Sequence, residues 1–261
     1  LTPAMPVAGG EIAFSYKAFG PFAATFTGWF LALAYIIVCP YEAISVSLVL
    51  EYMFPSLRML PLYTIGGSTI YLTTLIIGII LSIMFIYLNY RGVKFTKIFQ
   101  TFVSTIIIIL VVGFLFLSIE KGSVENMKPF FNPNEAKFSS VFSVLGMAPF
   151  FLAGFDAIPL AAEEAKDNLS LKKIGRIIIL AIVVGVFFYS LTTVATSLVN
   201  PWQDTVGQSI PTLYAFEHAF GEVLSNVVMV CALFGLLSTW NGCFFAGTRI
   251  LFAMGRGGLL P

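Results

Sequence analysis

Between Pro149 and Pro159 the chain reads Pro-Phe-Phe-Leu-Ala-Gly-Phe-Asp-Ala-Ile-Pro, inside an apolar run long enough to cross a bilayer. Two prolines and a glycine interrupt helical hydrogen bonding here, and Asp156 adds a carboxylate with no basic residue beside it. A span tolerates such a break only where protein or a watery cavity takes up the freed backbone groups. The carbonyl and N–H groups of Phe151, Leu152, Ala153 and Gly154 can then hold the two ends of a zwitterion, the chemistry of a substrate site in a membrane carrier. Asp156 can pair with an amine, carry a coupling proton, or hold the two half-helices in place.

Two other polar groupings fall within apolar runs. Glu42, in Cys-Pro-Tyr-Glu-Ala, is either a coupling group or an acid that bonds neighbouring helices together. Gly235, Ser238 and Thr239 offer a carbonyl and two hydroxyls on one helical stretch, followed by Trp240 and Asn241. Those oxygens suit a small cation such as Na+, although Ser and Thr in spans also bond their own helix or pack between helices. Glu163-Glu164, with Lys166, Lys172 and Lys173 nearby, reads as a solvated gate or orientation element.

The elements that must position these groups are membrane spans. The chain is 58% hydrophobic and 10% charged, with mean hydropathy +0.94, whereas a soluble domain carries about 25% charged residues. Apolar runs at roughly 22–50, 63–89, 98–119, 139–163, 174–199 and 223–252 predict six spans in an all-α transmembrane fold, with the lipid bilayer as solvent. Residues 1–21 read as a loop and a short surface helix, and the first residue, Leu1, marks the chain as a piece of a longer polypeptide. The loops 120–138 and 200–222 each predict a short helix, the second with Tyr214, Phe216 and Phe220 on one face.

Lysine and arginine set the orientation. Ten of them (Lys17, Arg91, Lys94, Lys97, Lys166, Lys172, Lys173, Arg176, Arg249 and Arg256) fall on one side, against Arg58, Lys121, Lys128 and Lys137 on the other. The loops near 1–21, 90–97, 164–173 and 253–261 are therefore expected in the cytoplasm, in a multi-pass protein of the plasma membrane.

Other function classes find little support. A net charge of +1 gives no sign of nucleic-acid binding. His218 is the single histidine and lies in a loop, so no His-containing triad or His-Glu-x-x-His metal helix can be built, and no ATP-binding Gly-x-x-x-x-Gly-Lys loop occurs. Cys39, Cys231 and Cys243 sit in apolar segments as small hydrophobes. The chain is not expected to be an enzyme. Asn168-Leu-Ser170 fits a glycosylation pattern but falls on the expected cytoplasmic side.

Several segments together resemble the amino acid–polyamine–organocation superfamily of secondary transporters. They are Pro6-Val7-Ala8-Gly9-Gly10, Gly28-Trp29, Asn89-Tyr-Arg-Gly92-Val-Lys94, Gly154-Phe155-Asp156 with Ala162-Glu163-Glu164, and Arg249 through Pro261, in the family's order. The resemblance implies a leucine-transporter-like inverted-repeat fold, of which this single incomplete domain, 1–261, would hold the end of helix two through helix eight. It implies that Phe150 is an aromatic gate, that Phe151, Leu152, Ala153 and Gly154 are unwound backbone, and that Asp156 is the acid just beyond. Gly235, Ser238 and Thr239 would match half of a sodium site. Two departures stand out: Ile107 falls where some proton-coupled members carry lysine, and Gly257 falls where many relatives carry aspartate.

The expected function is a permease moving amino acids or related amines by alternating access, coupled to sodium or protons and without a bound cofactor. A channel would need polar rings or a filter loop, and neither is evident. A carrier-like protein that only senses amino acids is the remaining alternative.

Overall fold

The computed structural model describes residues 5, 9–65, 68–133, 136–152, 154–160, 170–208 and 210–260. In chain order the elements are α1 (Glu11–Phe19), α2 (Pro21–Met53), a 3-10 turn (Pro55–Leu57), β1 (Pro61–Ile65), β2 (Ser68–Tyr71), α3 (Leu72–Tyr90) and α4 (Val93–Lys121). A second 3-10 turn (Val124–Met127) leads to α5 (Lys137–Phe151), α6 (Ala157–Leu160), α7 (Leu171–Val199), α8 (Trp202–Thr205), α9 (Pro211–Phe220) and α10 (Glu222–Arg256). Hydrocarbon offers no partner to a backbone N–H or C=O, so apolar runs of this length resolve as helices.

Among the described residues, five helices are long and apolar enough to cross a membrane: α2, α3, α4, α7 and α10. Their outward faces are apolar, with Ile79, Ile80 and Ile83 on α3 and Phe116 on α4 all exposed, surfaces that lipid solvates and water does not. The protein is a multi-pass membrane protein. At 33 residues α2 is about 50 Å long, more than the roughly 30 Å hydrocarbon core, so it tilts or projects beyond it.

Two of the expected spans take different local forms. Residues 63–89 were expected to be helical throughout, but the helix begins at Leu72, and β1 and β2 pair antiparallel ahead of it. Tyr63, Thr64, Ile65, Thr69, Ile70 and Tyr71 are the β-branched and aromatic types that suit a hairpin. Residues 139–163 hold α5, an interruption, and the short α6, with 161–169 outside the described residues.

The chain divides into two compact units. The first comprises Leu1–Phe102, Gly154–Ala181 and Gly235–Pro261. Its core is Ile12, Ala24, Ala32, Tyr35, Leu160, Ala246, Ile250 and Met254. Ala24, Gly28 and Ala32 recur every four residues, a small-residue face on α2 that lets α10 approach closely; a Cβ at Gly28 would meet Met254 Sδ at 2.7 Å. Beside this core Phe85 packs on Trp240 and Phe99, with ring centroids 5.1 and 5.8 Å apart.

The second unit comprises Val103–Ala153 and Ile182–Phe234. Phe114 of α4 packs on Phe216 of α9 at 5.1 Å, which buries one of the aromatics expected on that helix. The end of α4 is tied to the end of α7: the Ser123 N–H and the Asn126 amide both donate to the Leu198 carbonyl, at 2.9 and 2.8 Å. Gly122 lies in that joint, where a Cβ would strike the Ser118 carbonyl oxygen and stand 2.8 Å from Leu198 Cβ. Gly122→Ala is therefore expected to destabilise the protein by about 1–3 kcal/mol, measured as a lower unfolding temperature in detergent; an unchanged midpoint would show that this joint relaxes freely.

Candidate functional site

The interruption between α5 and α6 has a local cause at each step. The last helical bond of α5 runs from the Leu152 N–H to the Ala148 carbonyl, at 3.0 Å. Gly154 follows at φ +105°, a conformation that residues with a Cβ rarely adopt. The backbone restarts through short-range bonds, Ala157 N–H to the Gly154 carbonyl and Ile158 N–H to the Phe155 carbonyl, at 3.1 and 3.2 Å. These i to i−3 bonds close the tight turn that opens α6. Pro159 contributes no N–H, so the Phe155 carbonyl cannot receive the helical bond it would otherwise take from position 159.

Asp156 is bonded at both oxygens. Its Oδ1 accepts the Gly154 N–H at 3.0 Å, and its Oδ2 accepts the Tyr35 hydroxyl of α2 at 2.5 Å. The first bond is a side-chain cap on a freed backbone donor, the local alternative to helix that aspartate commonly supplies. Gly154, Asp156 and Tyr35 all belong to the first unit.

Phe151 and Leu152 belong to the second unit. Phe151 packs on Tyr189 of α7 with ring centroids 5.4 Å apart, and Leu152 Cδ2 lies where a Cβ on Gly185 would be 3.6 Å away. Ala153 and the Phe150 side chain lie outside the described residues, as do Glu163, Glu164 and Lys166.

Two other carboxyls of the first unit each have a buried oxygen without a hydrogen-bond partner among the described residues. Glu11, the first residue of α1, has a buried Oε2 with no hydrogen-bond partner and is within electrostatic reach of Asp156 and Tyr35. Burial, the largest effect, pushes its carboxyl above the ordinary value; a hydrogen bond from its own backbone N–H opposes this, and the Asp156 charge adds to it. Glu42 on α2 is 6% exposed, and its Oε2 likewise has no partner. Cys243 on α10 lies within electrostatic reach of both Glu42 and Asp156.

Gly235, Ser238 and Thr239 sit on α10 with their oxygens already engaged in part. Thr239 Oγ1 donates to the Gly235 carbonyl at 3.1 Å, while Ser238 Oγ accepts a hydrogen bond from the Gln100 amide of α4. Asn241 Nδ2 donates to Gln100 Oε1 at 3.2 Å, and Asn89 Nδ2 donates to Asn241 Oδ1 at 3.4 Å. A chain of amides thus links α3, α4 and α10 beside the hydroxyls. A separate apolar cavity of about 580 Å³ lies among α2, the hairpin, α3 and α10, lined by Ser47, Thr74, Gly78, Trp240 and Phe244 among others.

Tyr35, Glu11 and Gln100 have no part in the sequence reading, and Asn89 enters it only as the start of the Asn89–Lys94 turn. Gln100 carried the readable signal, a lone amide just inside an apolar run; Tyr35 in an aromatic-rich span carried none.

Apolar helices long enough to cross a membrane, with a break at the capped glycine Gly154, define a membrane protein. The sequence matches the family described as amino acid permease over residues 1–261, and the chain belongs to that family. It is 28% identical to the branched-chain amino acid permease BcaP of Lactococcus lactis subsp. cremoris, the match covering 100% of this chain and 57% of that protein. It is 26% identical to the methylthioribose transporter of Bacillus subtilis, covering 98% of this chain and 55% of that protein. It is 23% identical to the aromatic amino acid transport protein AroP of Escherichia coli K12, covering 98% and 54%. The chain spans a little over half the length of these curated relatives.

The raised Glu11 carboxyl carries a pH signature. A raised acid favours the folded state at low pH, and that contribution is lost as pH rises through its folded-state value. Unfolding temperature should accordingly fall with rising pH, and Glu11→Gln should flatten that fall. Equal slopes in the two proteins would show that Glu11 is solvated.

Proposed function

We propose that this protein carries a neutral amino acid across the plasma membrane by alternating access. The observation that carries the reading is an interrupted helix in an apolar span of an amino acid permease. The backbone of Phe151, Leu152, Ala153 and Gly154 receives the substrate's ammonium and carboxylate, and Phe150 closes over it. Relatives whose names specify branched-chain and aromatic amino acids favour an apolar side chain on the substrate. The Lys/Arg-rich loops face the cytoplasm.

The coupling ion in this reading is the proton. Glu42 is a buried carboxyl with an unpartnered oxygen, which protonation relieves. The Gly235–Ser238–Thr239 set favours sodium less, because the Gly235 carbonyl and the Ser238 hydroxyl already take hydrogen bonds within the protein.

Uptake by the full-length protein in proteoliposomes tests both statements. The panel is labelled leucine, phenylalanine, γ-aminobutyrate and methylthioribose, at acidic and neutral pH, with sodium or with choline. Saturable leucine or phenylalanine uptake is expected, faster at acidic pH, indifferent to choline, and no longer pH-dependent in Glu42→Gln. Uptake of methylthioribose alone, or of nothing in the panel, would contradict the substrate class. Uptake abolished by choline would return the coupling role to Gly235, Ser238 and Thr239.

A further inference from the structure

Tyr35 is a core residue of α2 whose polar end reaches the turn ahead of α6. It follows Ala32 by less than one turn, at the end of the small-residue face, and is 9% exposed. Its ring is held in the core cluster with Ile250, Met254 and Leu160 as members, so its hydroxyl has a defined position. That hydroxyl meets Asp156 Oδ2, and Asp156 Oδ1 meets the N–H of the glycine at positive φ. One carboxylate therefore joins the positive-φ glycine of the break to a packed side chain 121 residues earlier in sequence.

We propose that Tyr35 is a positioning residue that holds Asp156 as a brace, fixing the turn from Gly154 to Ala157 so that its backbone groups are set before substrate arrives. The role deepens the substrate-site reading above and rests on it. It gives Asp156 a structural task, holding the Tyr35 hydroxyl with one oxygen and the Gly154 N–H with the other, in place of binding the substrate amine or the coupling proton. Charge-assisted hydrogen bonds of this kind are the stronger ones, and a preset backbone binds without the cost of ordering itself. Tyr35→Phe deletes a single oxygen and leaves the ring packing intact, so it isolates the bond.

Two measurements on the full-length protein decide the matter. The first is hydrogen–deuterium exchange of peptides covering 151–160, which does not depend on transport. Tyr35→Phe and Asp156→Asn are each expected to raise exchange there about tenfold, the loss of one hydrogen bond to a charged group, with peptides from 211–220 unchanged. Unchanged exchange in Tyr35→Phe overturns the brace whatever the transport data show. Should Tyr35→Phe not fold, Asp156→Asn tests the same bond from its other end.

The second measurement is uptake of labelled leucine, or of phenylalanine if leucine is not carried. Tyr35→Phe should raise KM about tenfold with little change in Vmax and no change in pH profile. The double variant should be no worse than Asp156→Asn alone, because both changes break one interaction. Effects that multiply, or a pH profile moved by Asp156→Asn and not by Tyr35→Phe, would make Asp156 a proton or amine ligand and overturn the brace. A wild type that carries nothing in the panel refutes the substrate-site reading, and exchange alone then decides whether Tyr35 fixes the turn.

Discussion

In hydrocarbon a backbone polar group with no partner costs several kcal/mol, and the helix break of this protein stands or falls on how that demand is met. The i to i−4 ladder described for α5 ends at the Leu152 N–H, and α6 opens only at Ala157. The structure replaces part of it from within: two i to i−3 bonds open α6, and the Asp156 side chain takes the Gly154 N–H. An aspartate in an apolar run looks costly in isolation. Beside a glycine whose donor has lost its helical partner, it is the group that makes the interruption tenable.

The packing of α2 on α10 follows from that need. Ala24, Gly28 and Ala32 remove bulk along one face, and Ala246, Ile250 and Met254 fill the space from α10. Close approach in the core leaves Tyr35, at the end of the small-residue face, aimed at the turn. A larger residue at Gly28 would push on Met254, so the same small residues that allow the contact also set where the tyrosine hydroxyl arrives.

Much of this was legible beforehand, and for physical reasons. Long apolar runs can only be helices in lipid, so the spans at 22–50, 98–119, 174–199 and 223–252 correspond to α2, α4, α7 and α10. Helix breakers around Gly154 announce an interruption through local chemistry alone. Partners distant in sequence were not legible: nothing in the neighbourhood of Tyr35 points to Asp156, and nothing around Gln100 points to Ser238, because those bonds are made by tertiary packing. Hydropathy also misjudged residues 63–71, since an apolar hairpin and an apolar helix have the same mean value and differ only in their β-branched and aromatic content.

The central claim is that substrate occupies the helix break. Cysteine placed at Leu152, and separately at Phe155, in a full-length protein otherwise free of cysteine reports occupancy directly through its rate of alkylation. Saturating amino acid from the transported set should slow alkylation at both positions and leave a control cysteine at Val223, an exposed residue of α10, unaffected. Alkylation at 152 and 155 that ignores substrate, under conditions where uptake is saturated, would place the binding site elsewhere.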